Sequence, residues 1–268
     1  MNRRPHSTRV VTLLPSGKSH ELGFFESLYA FHHTHRFEWL RRKIASLPKQ
    51  SISVLEVGCA DARSLDYVPV HVNRYYGLDA GWRSGVRDGQ AYGLEAAKRR
   101  FADHKAFTFR QSVHHSDLQS VHGKFDVEIV LETFEYLETR QLESYIRLLS
   151  EKLETHGNLF STMPNEKGLP LLVKAIGARL SGVPRSEYTP IQFFNAVRGR
   201  LDRVPRSERG RRGFDYEAVA DLVRRYFPYV RLEPVGALGL PRALSPNIGL
   251  VASHDPDAIK AARPTSSA

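Results

Sequence analysis

The chain holds a single cysteine, Cys59, among 268 residues, so no intramolecular disulfide can form. That excludes a disulfide-stapled secreted scaffold and a zinc site built on several thiolates, and it points to a reducing compartment. Long apolar runs are missing too. A bilayer-spanning helix needs about 20 mostly apolar residues, yet the longest apolar stretch, 169 to 180, is interrupted by Lys174 and Arg179. Behind Arg3, Arg4 and Arg9 the apolar run 10 to 14 falls short of the roughly 7 to 15 residues of a secretory core. We therefore expect a cytoplasmic protein without a transmembrane segment. No collagen-like period or tandem repeat is visible, which removes fibrous and solenoid architectures.

Acidic residues are the minority charge. Against 39 Lys plus Arg stand 29 Asp plus Glu, a formal +10, which favours nucleic acid, phospholipid or a phosphorylated substrate by long-range attraction. Seven arginines crowd between Arg198 and Arg212, offset only by Asp202 and Glu208. The run reads first as solvated loop; otherwise Arg198–Arg212 would make an anionic contact with a nucleic-acid backbone, a membrane surface met peripherally, or a pyrophosphate-linked glycan. Hydrophobic residues make up 41%, enough for one large core.

Residues 1 to 21 lack periodicity and are expected to form a flexible arm. Phe37, Leu40, Ile44 and Leu47 recur at helical spacing, predicting one or two helices over 23 to 47. Ile52-Ser-Val-Leu-Glu-Val57 then reads as a buried parallel strand feeding a tight turn. Further strands are predicted at 75–79, 106–110, 125–131 and 158–163, with helices at 90–101 and along the Leu142, Tyr145, Ile146, Leu149 stripe. This alternation predicts a doubly wound α/β sheet. A helix at 215–227 precedes a final pair of strands, 230–235 and 247–253, whose short connection suits antiparallel pairing. Residues 165 to 213, with helices at 169–180 and 190–201, interrupt the pattern as a helical cap insertion. The expected domain is 22 to 254, followed by a disordered tail at 255 to 268.

Ligands of such sheets bind beyond the carboxyl ends of the strands. There the sequence reads Glu56-Val-Gly-Cys-Ala-Asp-Ala62, and Asp79 follows Gly58 by 21 positions at the end of the second strand. Small residues let a ligand approach the backbone, and a carboxylate at the neighbouring tip can accept from both ribose hydroxyls. A tight turn and a helix-capping Asp would look the same, so the residues alone leave a nucleoside site and plain structure open.

Val54-Leu-Glu-Val-Gly-Cys-Ala60 resembles the first motif of class I S-adenosylmethionine-dependent methyltransferases. Tyr76-Gly-Leu-Asp79 resembles their second-strand acidic motif, and Phe125-Asp-Val-Glu-Ile-Val-Leu-Glu-Thr-Phe-Glu-Tyr-Leu137 their fourth-strand signature. The stretch 149 to 165, ending Thr162-Met-Pro-Asn165, resembles the fifth-strand region. The resemblance implies a Rossmann-like, doubly wound seven-stranded sheet, mostly parallel with an antiparallel last strand. It further implies S-adenosyl-L-methionine as cofactor. Glu56 and Gly58 would border its methionine end, Asp79 would hold its ribose, Ser112 and Val113 would take its adenine, and Cys59, Ala60 and Ala80 would also contact it. Leu131 and Glu132 would line the pocket near the methyl, with Arg36 pairing the methionine carboxylate.

Departures from that pattern are specific. Ala60 and Ala62 stand where glycines are usual, Ser112 where Asp is commoner, and Tyr136 where a His is usual. The Tyr weakens any Glu132–Glu135 metal site, and no metal is expected. The catalytic base is unknown; His32, His33, His35, His114 and His115 are candidates for an alcohol or phenol acceptor. The leading expectation is methyl transfer to oxygen of a small molecule, glycan or lipid-linked intermediate. An RNA or other nucleic-acid methyltransferase is less favoured, since Leu131-Glu-Thr-Phe134 lacks the Pro-Pro motif common in base amine methylation. A noncatalytic protein that kept the fold is the remaining alternative. A nicotinamide dehydrogenase would ask for glycines where this turn has alanines or Arg63.

Overall fold

The computed structural model describes residues 24–263 except 83, 88, 181–187, 209, 237 and 238, with side chains from 34 onward. The expected arm and residues 264–268 lie outside the described residues. In chain order the elements are α1 (Phe24–Ala45), β1 (Ser51–Val57), β2 (His71–Asp79), β3 (Gly85–Arg87), β4 (Gln90–Tyr92), α2 (Leu94–Arg100), β5 (Phe107–Gln111), α3 (His115–Gln119) and β6 (Phe125–Leu131). There follow α4 (Thr139–Lys152), β7 (Leu153–Pro164), α5 (Gly168–Leu180), α6 (Pro190–Val197), α7 (Tyr216–Val223), β8 (Tyr229–Val235), β9 (Asn247–Ser253) and α8 (Pro256–Ala261).

Seven strands form one sheet in the order β5-β2-β1-β6-β7-β9-β8. β9 runs antiparallel to both its neighbours, and the other six strands are parallel. This is the expected sheet. Strand order reverses between β1 and β6, so their carboxyl tips, Val57 and Leu131, flank the crevice where doubly wound sheets take ligands.

The strands read as near-continuous apolar runs because both faces are covered. On one face Leu142, Tyr145, Ile146 and Leu149 of α4 and Val219 and Val223 of α7 pack on Leu55, Val57 and Leu250. On the other, Trp39, Leu40 and Ile44 of α1 pack on Val54, Ile129, Phe160 and Val251. Trp39 seats α1: its ring lies where a Gly249 Cβ would stand, 2.6 Å away, and its Nε1 donates to Glu233 Oε1 at 2.5 Å. The cap has a small core of its own, Leu171, Ala196, Leu201 and Val204.

Two expectations change. The helix predicted from 90 begins at Leu94, because Gln90–Tyr92 pairs with Gly85–Arg87 as an antiparallel hairpin. Pro256–Ala261 is helical rather than a disordered tail. Asp255 accepts from Asp257 N at 2.9 Å with Pro256 in the first turn, and Arg231 donates to the carbonyls of Ile259 and Ala262. No described helix is long and apolar enough to cross a membrane.

Candidate functional site

One wall of the crevice is the turn after β1. Gly58 has φ +80°, and a Cβ there would meet Thr133 Oγ1 at 2.1 Å, so the glycine is required by the close approach of the β6 side. Ala60 and Ala62 adopt φ of 45° and 55°, the left-handed region that costs an L-residue roughly 1–2 kcal/mol. The alanines therefore hold the shape that glycines would hold freely. Asp79 fastens that turn: its Oδ2 accepts from Ala60 N at 2.9 Å and its Oδ1 from Gly81 N at 2.7 Å. Two amides fix the carboxylate, and lone pairs remain for a further donor.

Beneath the turn Glu56 is buried. Its Oε2 accepts from Ser64 Oγ at 2.5 Å and Tyr75 OH at 2.6 Å, and burial pushes the carboxyl up to about 7 against those two bonds. Cys59 is buried beside it, and burial drives its thiol well above the ordinary range, leaving it unreactive.

The facing wall follows β6. Glu132 sits at φ 48°, a strained position of the kind that clusters at binding sites. Its Oε2 pairs with Arg36 Nη1 at 3.0 Å and Arg211 Nη2 at 2.9 Å, and its Oε1 accepts from Asn247 Nδ2 at 3.0 Å. Glu135 is fully buried and neither carboxyl oxygen accepts a hydrogen bond; Arg211 Nε lies 3.7 Å away. Burial first, then the Glu132 charge, raises this carboxyl to about 8, with Arg211 opposing. Arg206 Nη2 donates to the carbonyls of Phe134 and Leu137 at 3.2 and 3.1 Å, fixing the turn that carries Glu135. Two members of the basic run thus turn inward.

The remaining expected residues gather at the β5 end. Ser112 is buried, with its amide on the Asp79 carbonyl at 2.8 Å, and the Ala80 carbonyl accepts from Gln111 Nε2 at 3.1 Å. Val113, His114, Trp82 and Tyr136 line a recess of about 50 Å³. His114 therefore borders the expected adenine end instead of the Glu132–Glu135 wall. His35 lies on α1 next to Arg36, and burial together with Arg42 lowers its pKa; the His32 and His33 side chains fall outside the described residues. Arg211, Asn247, Ser64 and Tyr75 were not singled out by sequence reasoning. Nothing within the arginine run distinguishes Arg211, and its partners lie 79 and 76 positions away.

Among the described residues no group of three or more His, Cys, Asp or Glu is arranged to hold a metal ion. Between the carboxyls of Glu132 and Glu135 stands the Arg211 guanidinium. A larger recess, about 440 Å³ and lined by Lys49, Asp126, His156 and Asn158, lies at the opposite, amino end of the strands. Strained backbone and the raised Glu135 carboxyl are found at the carboxyl end, which is where topology directs a ligand.

No family model and no curated protein matches the chain. Solved structures with the same fold do. The magnesium protoporphyrin IX methyltransferase ChlM from Synechocystis PCC 6803, with bound SAH, is 14% identical, covers 89% of this chain and 90% of its own, and superposes with a TM-score of 0.53. The methyltransferase domain of bacterial CtHen1-CN is 18% identical over 83% of this chain and 99% of its own, at 0.52. The PH0226 protein from Pyrococcus horikoshii OT3 is 16% identical over 82% and 90%, also at 0.52.

Proposed function

We propose that the chain is an S-adenosylmethionine-dependent methyltransferase acting on an oxygen atom of a small molecule, glycan or lipid-linked intermediate. It has the Rossmann-like fold of class I methyltransferases, as its structural neighbours do. The observation that carries the reading is Asp79, aimed by two backbone amides beside a strained turn at the switch point. A carboxylate so fixed accepts from ribose hydroxyls without reorganising.

When bound, the cofactor supplies a methyl group on a positively charged sulfur. The chain's part is alignment, exclusion of water and management of one proton. Asp79 holds the ribose, Ser112 and Val113 border the adenine, and the turn 58–60 admits the ligand against its backbone. Arg36 exchanges Glu132 for the methionine carboxylate, while Arg211 and Asn247 keep Glu132 neutralised. Glu135 takes the acceptor's proton: a carboxyl raised to about 8 is a stronger base than an ordinary one, and an O–H acceptor needs such a partner. Inward-turned Arg206 and Arg211 leave fewer cations for a nucleic-acid backbone, which disfavours that alternative.

The test is transfer of a labelled methyl group into metabolite and lipid extracts by the full chain. We expect a labelled product that Glu135→Gln abolishes while cofactor binding persists. Cofactor binding without any labelled product would contradict the oxygen-directed reading and favour the nucleic-acid or noncatalytic alternative.

A further inference from the structure

The most exposed apolar surface lies on the cap, away from the crevice residues. Leu169, Val173, Ile176 and Leu180 fall at i, i+4, i+7 and i+11 of α5 and so form one stripe. Ile191 and Phe194 add a second ridge on the adjacent α6, and all six side chains are between 51% and 76% exposed. Scattered apolar residues on a surface need no explanation, but a contiguous set of this kind does. The opposite side of the same helices is already used: Leu171 and Ala196 are buried in the cap's own core.

The stripe has a cationic border. Arg179 is exposed in the last turn of α5. Arg198 lays its guanidinium over the Phe194 ring at 5.0 Å, and Arg200 and Arg203 follow it, exposed. Asp202 is the sole carboxylate among them, 4.0 Å from Arg203. Apolar side chains rimmed by arginines match the two layers of an anionic bilayer surface, acyl chains below and phosphate headgroups above. A protein partner would need a complementary acidic rim; a second copy of this chain, at +10 and with the same arginine border, would bring like charges together.

We infer that the α5–α6 face of the cap docks on an anionic phospholipid membrane, with Val173, Ile176 and Phe194 entering the interface and Arg198, Arg200 and Arg203 contacting phosphates. Of the arginine run, this assigns the anionic contact to Arg198, Arg200 and Arg203, while Arg206 and Arg211 are engaged inside. The inference stands apart from methyl transfer, and its test reads membrane binding rather than turnover.

The whole chain is co-sedimented with vesicles of phosphatidylcholine alone and of three parts phosphatidylcholine to one part phosphatidylglycerol. Binding is expected only to the second, weakening with added salt. Val173→Asp with Ile176→Asp should lower that affinity at least about tenfold through lost apolar burial. Arg198→Gln with Arg200→Gln should lower it about fivefold per arginine and flatten the salt dependence. These side chains are exposed, so thermal melts should be unchanged and will show that each variant folds. Failure to bind anionic vesicles at low salt, binding indifferent to the Asp pair, or a stable dimer that the Asp pair dissolves would each overturn the inference.

Discussion

Two buried carboxyls, Glu56 at the β1 side of the crevice and Glu135 after β6, are managed in opposite ways. Glu56, on the β1 side, gives one oxygen to two hydroxyl donors and is raised to about 7. Glu135, on the β6 side, has no hydrogen bond at all and is raised to about 8, with an arginine nearby but out of hydrogen-bonding reach. A satisfied buried carboxyl is held in place and braces its turn, whereas one without a hydrogen bond but flanked by a carboxylate and a guanidinium, as Glu135 is, is proposed to bind and release a proton. On the proposed reading the β1 wall is the holding wall and the β6 wall, joined by Arg206 and Arg211 of the cap, the chemical one.

The largest expected effect breaks the chemical side of that contrast. Glu135→Gln should lower kcat on the identified acceptor by about a hundredfold or more, and the rise in rate with pH through about 8 seen in the unaltered protein should vanish. Folding should not suffer in parallel. A carboxyl raised in the folded state contributes stability below its ordinary pKa of 4.5 and loses it as pH climbs through about 8. The glutamine variant should accordingly melt no earlier than the parent at pH 8.

On the holding side, Asp79→Ala removes charge-assisted bonds worth about 1.5–3 kcal/mol each. Cofactor affinity measured by calorimetry should fall at least about tenfold, with kcat at saturation less affected than in Glu135→Gln. If kcat fell equally in both variants, the division between the walls would be wrong.

A third carboxyl calibrates the comparison. Glu128 of β6 is fully buried, neither oxygen has a hydrogen-bond partner, and burial alone pushes it well above its usual range. No charge stands beside it, so it remains a protonated passenger of the core. Its stabilising contribution is complete at low pH and is lost as pH rises above the ordinary carboxyl range. Glu128→Gln should raise Tm more at pH 8 than at pH 4 by thermal melts, without altering the rate profile.

The smallest effect concerns the turn. Ala60→Gly relieves a left-handed alanine and should gain about 0.5–1 kcal/mol by denaturation, reduced by the greater freedom of glycine in the unfolded chain. A loss of stability instead would show that the Asp79 clasp has already absorbed the strain.

The holding wall was largely legible in the sequence. A parallel strand covered on both faces leaves an unbroken run such as 52–57, a tight turn leaves small residues after it, and a carboxylate tip falls at fixed spacing. The chemical wall was half legible: Glu132 and Glu135 stand in a motif, but what charges them arrives from α1, the cap and β9. Arg36, Arg211 and Asn247 are brought to Glu132 by tertiary folding alone, and no local period encodes that meeting. The pairing of Gly85–Arg87 with Gln90–Tyr92 was hidden because Gln90 and Ala91 also fit the helix-forming composition of the Leu94–Arg100 segment that follows. α8 was missed through weight given to composition, although Asp255-Pro256 is a helix-start signal.

The central claim is most directly tested by a crystal structure of the chain grown with S-adenosylhomocysteine. The account predicts the methionine end between the tips of β1 and β6, the ribose hydroxyls on Asp79 at the tip of β2, the adenine beside Ser112, and Arg36 released from Glu132. Arg36 still paired with Glu132, and the ligand elsewhere or absent at saturating concentration, would contradict it.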